Sequence, residues 1–178
     1  MSEAGGQPVR LVTDSVEATL LIGRTLGAAA RPGDVIGLIG ELGAGKTQLV
    51  RGIAGGMGID PARVSSPTFV LVHEYEAAGA ALLVHIDAYR LRTSDELETI
   101  GWDTQSDPPG RELRRGAVVA IEWADRMAAW LGDDWLEVRM AHGGDEHQGD
   151  GDGQSRQITL IGHGSWSGRI APIVGGVA

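Results

Sequence analysis

The stretch "GELGAGKT", residues 40–47, constrains the fold of this chain more than any other. It follows the short apolar run "DVIGLI" and precedes a segment with apolar residues at helical spacing. The pattern Gly40-x-x-x-x-Gly45-Lys46-Thr47 is the Walker A pattern, whose glycines let backbone N–H groups approach phosphate oxygens. It therefore predicts a buried strand, a phosphate-binding loop and a helix whose N-terminus faces the anion.

Lys46 is the only lysine in the sequence, although lysine and arginine together number 15. A lysine ammonium is a compact charge, and the planar guanidinium of arginine does not replace it in a phosphate loop. The position of this single lysine favours phosphate binding over a chance glycine-rich turn. In the Walker A pattern Lys46 contacts the β- and γ-phosphates, and Thr47 offers its hydroxyl to Mg²⁺.

Composition limits the classes of protein to be considered. At 178 residues the chain is predicted to form one domain, residues 1–178. A net charge of −9 argues against direct, tight binding of a nucleic-acid backbone, although nucleic acid could still be reached through a partner. Because the sequence shows no cysteine, no membrane-spanning run and no signal peptide, we expect a cytoplasmic protein with no membrane association.

Strand-like and helix-like segments alternate along the chain. This predicts an α/β, P-loop NTPase-like three-layer fold around a mixed, largely parallel central sheet. Helices are expected after N-caps at Asp14 or Ser15 and at Thr93 or Ser94, after the phosphate loop, and in "ADRMAAWL". The Gly- and acid-rich residues 142–155 are expected to be disordered. Strands are expected at residues 9–13, 34–40, 65–76, 81–89 and 117–123, and in "DWLEVRM" and "RQITLIGHG".

Two acids follow apolar runs that resemble buried strands, namely Asp87 in "LLVHID" and Glu122 in "VVAIE". Acids at such positions should lie at the carboxyl edge of the sheet, where α/β proteins bind ligands. We predict that Glu122 is the first metal ligand beside Thr47. Asp87 is predicted to be a second metal ligand or to orient the attacking water.

The stretch "SSPTF" is predicted to sense the γ-phosphate. Pro67 favours an extended Ser66, which leaves the hydroxyl of Thr68 able to face the phosphate or the metal. His73 and His85 alternate with apolar residues and are interpreted as partly buried side chains without a ligand role. The sequence has no asparagine and no second lysine, so the Asn-Lys-x-Asp element that reads guanine is missing and ATP is favoured as the nucleotide.

The chain resembles the TsaE family, the small P-loop ATPases of bacterial tRNA threonylcarbamoyladenosine synthesis. The resemblance rests on "GELGAGKT", "RGIAGGMGI", "VSSPTFVLVHEY", "HIDAYRL", "DELETIGW" and "IEW", in that order. It implies one α/β domain that binds ATP with Mg²⁺ and hydrolyses it slowly when alone. It also implies work with two partner proteins, TsaB and TsaD, on adenosine 37 of ANN-decoding tRNAs, with tRNA reached only through the complex.

The resemblance also implies roles for individual residues. Lys46, Asp87, Glu122 and Thr68 would be catalytic, and the metal would be held by Thr47, Glu122 and Asp87. The nucleotide would be contacted by Gly40, Glu41, Leu42, Gly43, Ala44, Gly45, Lys46, Thr47, Gln48, Ser15, Thr19, Trp123 and Arg156.

The sequence departs from the family pattern at three places. Glu41 stands where an Asp is common, Gln48 stands where a second Thr is usual, and the Gly/Asp-rich segment before Arg156 is longer. Two other functions remain open from the residues alone. One is a small-molecule P-loop kinase, with Arg111, Arg114 and Arg115 as a lid, and the other is a nucleotide-binding scaffold without hydrolysis.

Overall fold

A seven-stranded mixed sheet forms the centre of the computed structural model, which describes residues 7–67, 69–77, 81–143 and 155–175. The strand order is β1-β7-β6-β2-β5-β4-β3, in which β6, β2, β5 and β4 are parallel to one another. The remaining pairs, at the two sides of the sheet, are antiparallel. The predicted α/β fold with a mixed central sheet is confirmed. The strands are β1 (Val9–Thr13), β2 (Val35–Ile39), β3 (Val72–Glu76), β4 (Leu82–Asp87), β5 (Ala117–Glu122), β6 (Leu136–His142) and β7 (Arg156–Gly162).

Helices cover both faces of this sheet. Alternate residues of β2 point to opposite sides, so Ile36 and Leu38 belong to one apolar core and Val35 belongs to the other. The first core includes residues of the two long helices, and the second includes Leu97 and the fully buried Trp102. The three layers of the prediction are therefore present. The helices are α1 (Val16–Ala29), α2 (Lys46–Gly56), α3 (Ser94–Thr99), α4 (Arg111–Arg114) and α5 (Ile170–Val174).

Helix α1 and helix α2 pack against each other through glycines. A β-carbon on Gly52 would lie 2.8 Å from Cα of Gly23 and would collide with the carbonyl oxygen of Leu20. A β-carbon on Gly27 would likewise collide with the carbonyl oxygen of Ile53. The absence of side chains at these positions allows the two helix backbones to approach closely.

The predicted helix starts agree with the structure at two places. Ser15 is the N-cap of α1, and its hydroxyl accepts a 3.1 Å hydrogen bond from the backbone N–H of Ala18. Thr93 caps α3 in a capping box with Glu96, whose carboxylate accepts the Thr93 N–H. The segment Ala124–Trp130 is a 3-10 helix, and α4 forms shortly before β5, where no helix was expected.

The prediction of a strand over residues 65–76 is wrong in its first half, since β3 begins only at Val72. The carbonyl of Pro67 accepts hydrogen bonds from the N–H groups of Val70 and Leu71, which makes a turn. Leu71 then has a left-handed φ of 69°, a conformation that a strand residue cannot adopt. Strand β4 also ends before Tyr89, because the carboxylate of Asp87 caps a short 3-10 turn there.

The segment predicted to be disordered, residues 142–155, lies mostly outside the described residues. Its described ends are paired: β6 extends to His142, β7 begins at Arg156, and the Gly143 N–H donates to the Ser155 carbonyl at 2.9 Å. Within the described residues, no helix is long and apolar enough to cross a membrane.

Candidate functional site

The candidate site lies at the carboxyl edge of the four parallel strands. Residues 40–45, called here the glycine loop, connect the end of β2 to the start of α2. Asp87 ends β4 and Glu122 ends β5, and these two residues are direct register partners. Parallel pairing of β2, β5 and β4 therefore brings the glycine loop and both acids to one edge, as was predicted from the apolar runs that precede Asp87 and Glu122.

Glu122 lies directly beside the first turn of α2. The hydroxyl of Thr47 donates a hydrogen bond of 2.7 Å to Oε1 of Glu122. The same oxygen lies 2.9 Å from Nε2 of His85, a fully buried residue in the middle of β4. Sequence reasoning interpreted His85 as a partly buried side chain and so missed this contact. The alternation of β4 could have indicated it, because His85 and Asp87 point to the same face.

The Lys46 ammonium is held within the glycine loop itself. It donates hydrogen bonds to the carbonyl oxygens of Gly40 at 2.7 Å and Glu41 at 2.9 Å. It also lies 3.8 Å from the centre of the Trp123 ring, in a cation–π contact. Burial lowers the pKa of Lys46 from its ordinary value of 10.5, and the charge of the nearby Glu122 opposes this shift.

Asp87 is engaged by the polypeptide on both of its carboxylate oxygens. Oδ1 accepts the backbone N–H of Tyr89 at 2.9 Å, and Oδ2 accepts the hydroxyl of Ser66 at 3.3 Å. Thr68, the other predicted residue of this side of the site, lies outside the described residues. Asp87 is therefore near the site, whereas it is Glu122 that contacts Thr47.

Trp123 adopts a left-handed backbone conformation, with φ of 60°, immediately after β5. Such a conformation is unfavourable for a bulky residue and requires the surrounding structure to maintain it. The Trp123 ring packs against Tyr89 with the ring centres 5.1 Å apart, and the guanidinium of Arg126 lies over Tyr89 at 5.0 Å. These contacts fix the Trp123 ring over Lys46.

The glycine loop has the backbone that a phosphate cradle needs. Gly43 and Gly45 have φ values of 80° and 96°, which favour glycine, and Ala44 is buried. Leu42, by contrast, is exposed over 86% of its surface. Gln48 in α2 accepts a hydrogen bond from Arg51 at 3.3 Å, so its amide is directed along the helix.

The other residues predicted to contact the nucleotide lie on the side of the glycine loop away from Trp123. A β-carbon on Gly45 would lie 3.8 Å from Nε of Arg156, so this arginine flanks the loop. Arg156 pairs with Thr13 at the end of β1, and the hydroxyl of Thr13 lies 3.0 Å from that of Thr19. Thr19 also donates to the Ser15 carbonyl at 3.1 Å. The start of α1 is thus linked to Arg156, while the hydroxyls of Ser15 and Thr19 serve local hydrogen bonds.

The part of the chain that the structure describes contains no cluster of three or more His, Cys, Asp or Glu side chains that could hold a metal ion. Magnesium sites, however, commonly use only one or two carboxylates together with phosphate oxygens and water. Two ligands at right angles on an octahedral Mg²⁺ lie about 3 Å apart, given metal–oxygen distances of about 2.1 Å. The Thr47 and Glu122 oxygens, 2.7 Å apart, fit this requirement.

The fold and the site define a class, namely an α/β protein in which a glycine-rich loop and two strand-end acids meet at the carboxyl edge of a mixed sheet. Comparison with known proteins then identifies the family. The model of the family "Threonylcarbamoyl adenosine biosynthesis protein TsaE" matches residues 13–150, well over half of the sequence. The chain belongs to the TsaE family.

Individual relatives agree with this assignment. A tRNA threonylcarbamoyladenosine biosynthesis protein TsaE from Streptomyces coelicolor is 35% identical over 158 residues, which cover 87% of this chain and 98% of the relative. The protein of the same name from Bacillus subtilis is 37% identical, over 76% of this chain and 79% of the relative. Among solved structures, YdiB from Bacillus subtilis is similar with a TM-score of 0.66 and 27% identity, over 96% of this chain and 94% of that one.

Proposed function

We propose that this chain binds ATP with Mg²⁺ at the glycine loop and hydrolyses it in support of tRNA threonylcarbamoyladenosine biosynthesis. The observation that carries the proposal is the contact between Thr47 and Glu122. It joins the residue after the phosphate-loop lysine to a strand-end acid, at a spacing suited to two ligands of one Mg²⁺. The names of the relatives support the pathway, and the motif supports the nucleotide chemistry.

The phosphate groups would be bound by the glycine loop and the start of α2. Backbone N–H groups of residues 43–47 and the positive end of the helix favour a bound anion. Lys46 would exchange its hydrogen bonds with the loop carbonyls of Gly40 and Glu41 for phosphate oxygens. Such an exchange suits a desolvated ammonium, because phosphate offers it full negative charge.

Thr47 and Glu122 would hold Mg²⁺, with Asp87 as the further acid on the γ-phosphate side. When bound, Mg²⁺ would neutralise charge on the β- and γ-phosphates. Asp87 is placed one strand from Glu122, and its carboxylate is fixed by Tyr89 and Ser66. We propose that Asp87 orients the attacking water, and that Thr68, which follows Pro67, senses the γ-phosphate.

ATP is proposed over GTP because the sequence contains no asparagine and no second lysine for a guanine-reading element. The adenosine would lie between the start of α1, with Ser15 and Thr19, and the side of the glycine loop that Arg156 flanks. Trp123 would cover the opposite side, next to Lys46.

We also propose that the ATPase acts together with two partner proteins, TsaB and TsaD. Phe69 and Val70 are neighbours in the sequence and are exposed over 91% and 61% of their surfaces. Contiguous exposed apolar surface commonly marks an interaction site, so this pair supports a protein partner near the site. With a net charge of −9, the chain is expected to reach tRNA only through such a complex.

The alternative of a small-molecule kinase finds less support. Its lid was expected from Arg111, Arg114 and Arg115, but these residues precede β5 and therefore lie at the amino edge of the sheet. Arg114 donates to the Gly33 carbonyl at 2.9 Å, before the start of β2. These arginines line a cavity of ≈ 380 Å³ at the sheet edge opposite the glycine loop.

The test is an ATPase and nucleotide-binding assay of the purified chain with and without TsaB and TsaD. We expect Mg²⁺-dependent hydrolysis that is slow alone and faster with the partners. Lys46→Ala should lose binding of a fluorescent ATP analogue, whereas Arg115→Ala, an exposed residue at the opposite edge, should bind as the parent does. Unchanged affinity in Lys46→Ala would refute the site. Phosphorylation of a small acceptor without any effect of the partners would favour the kinase.

A further inference from the structure

The buried histidine of β4 has no role in the chemistry described so far. His85 is fully buried within the otherwise apolar run of "LLVHID" before Asp87. An imidazole in an apolar interior is costly unless it is hydrogen-bonded. Its position between the core and the acid edge therefore calls for a function that an apolar residue could not supply.

Within the described residues, the His85 ring makes one hydrogen bond, to Glu122. Nε2 lies 2.9 Å from Oε1 of Glu122. A carboxylate that holds a cation is ionised and can only accept, so Nε2 donates this hydrogen bond in the proposed metal-bound state. The same Oε1 accepts the hydroxyl of Thr47 at 2.7 Å. One carboxylate oxygen thus receives donors from β4 and from α2.

The other ring nitrogen, Nδ1, is buried and has no hydrogen-bond partner among the described residues. His73 provides the contrast, because it is the register partner of His85 on β3. Its Nδ1 lies 2.9 Å from the hydroxyl of Tyr75, away from both acids. His73 thus hydrogen-bonds a neighbouring side chain of its own strand, as a structural histidine commonly does. His85 instead hydrogen-bonds Glu122, an acid of the candidate site.

We infer that His85 is a positioning residue that fixes the Glu122 carboxylate beside Thr47 for metal binding. The inference rests on the proposed function, in which Glu122 and Thr47 hold Mg²⁺. A carboxylate on a strand end can rotate about its side-chain bonds, and a second donor on Oε1 restricts that rotation. Such outer hydrogen bonds commonly change metal affinity by about 10–100-fold when removed.

The donor can be tested by matched amide substitutions. In His85→Gln the amide nitrogen stands three bonds from Cβ, as Nε2 does in histidine, whereas in His85→Asn it stands only two bonds away. His85→Leu removes the donor entirely, and His73→Gln is the control on the neighbouring strand. For each variant we would measure the melting temperature, the affinity for a fluorescent ATP analogue in EDTA, and the Mg²⁺ concentration that gives half-maximal change in its signal.

The expected result is a shift in Mg²⁺ dependence alone. His85→Asn and His85→Leu should need about 10–100-fold more Mg²⁺. His85→Gln and His73→Gln should stay within about threefold of the parent, and affinity in EDTA should not change in any variant. If His85→Leu does not fold, the comparison of His85→Gln with His85→Asn decides.

Two outcomes would overturn the inference, and they are distinguishable. If Thr47→Val and Glu122→Ala raise the Mg²⁺ requirement but His85→Asn does not, His85 has no positioning role and the proposed function stands. If Thr47→Val, Glu122→Ala and Lys46→Ala all keep the nucleotide affinity and Mg²⁺ dependence of the parent, the proposed nucleotide site is wrong. The inferred role of His85 is then wrong as well.

Discussion

The hydroxyl of Thr47 hydrogen-bonds Glu122 at 2.7 Å across 75 residues of sequence. The contact exists because β2 and β5 are adjacent and parallel, so the helix after one strand begins beside the end of the other. The contact distinguishes the two candidate acids, because Asp87 accepts hydrogen bonds from Ser66 and Tyr89 instead.

Glu122→Ala should therefore weaken the Mg²⁺ dependence of nucleotide binding more than Asp87→Ala does. We expect a loss of at least about tenfold in apparent Mg²⁺ affinity for Glu122→Ala, because Glu122 is the proposed metal ligand and loss of even a group that hydrogen-bonds a ligand commonly costs about 10–100-fold. Asp87→Ala should mainly lower the rate of hydrolysis. Titration of Mg²⁺ into each variant with a fluorescent ATP analogue, together with single-turnover hydrolysis, measures both effects. The reverse ranking would exchange the proposed roles of the two acids.

The buried ammonium of Lys46 should make the stability of the nucleotide-free protein depend on pH. Because burial lowers the Lys46 pKa below 10.5, the unfolded chain binds more protons than the folded chain between the lowered pKa and 10.5. The free energy of unfolding should therefore rise with pH across that window. At pH values below the window Lys46 is charged in both states, and the buried charge lowers the stability by its full amount. The parent and Lys46→Met can be compared by urea unfolding at pH 7 and at pH 10. Between these two pH values the free energy of unfolding of the parent should increase relative to that of the variant. A pH-independent difference between the two proteins would contradict this.

Gly52→Ala should destabilise the packing of α1 on α2. The added β-carbon would lie 2.8 Å from Cα of Gly23 and would force the helices apart. Overpacking of this kind costs about 1–3 kcal/mol, which exceeds the gain of about 0.5–1 kcal/mol from replacing glycine by alanine in a helix. Thermal or urea unfolding measures the difference. Gly168→Ala is the control and should change stability little, because no atom of the described residues, apart from the two chain neighbours, lies within 4 Å of the added carbon.

Arg169→Lys should loosen the C-terminal segment from the start of β2. Arg169 makes two hydrogen bonds to the Asp34 carboxylate, at 2.9 and 2.7 Å, and lies 3.9 Å from the centre of the Trp166 ring. Lysine cannot reproduce this two-point contact, and we expect a loss of about 1–2 kcal/mol in the free energy of unfolding. Arg115→Lys should be neutral, because this exposed side chain makes a long ion pair of 3.9 Å with Glu112, which is also exposed. Equal stability of both variants would show that the Arg169 pair contributes nothing.

Local features of the site were predictable from the sequence. The spacing of the glycines, Lys46 and Thr47 predicted a loop between a buried strand and a helix, and Ser15 and Thr93 predicted helix starts. Each of these depends on residues within one or two turns of each other, where hydrogen-bond reach and backbone preference decide the conformation.

The start of β3 was not predictable in the same way. Residues 65–71 have the composition of a strand, but the turn at Pro67 and the left-handed Leu71 delay the strand to Val72. The position of the arginines 111, 114 and 115 was also open, because only the parallel pairing of β5 with β2 shows that the segment before β5 lies at the edge opposite the glycine loop.

The sequence by itself determined the chemistry available to this protein, namely a glycine loop with one lysine and two acids at strand ends. Tertiary structure alone decided that Glu122 contacts Thr47, that Trp123 covers Lys46 and that His85 hydrogen-bonds Glu122. The physical reason is that these contacts join segments tens of residues apart, through the register of parallel strands. That register is set by the packing of the whole sheet between its two helical layers, and no local pattern encodes it.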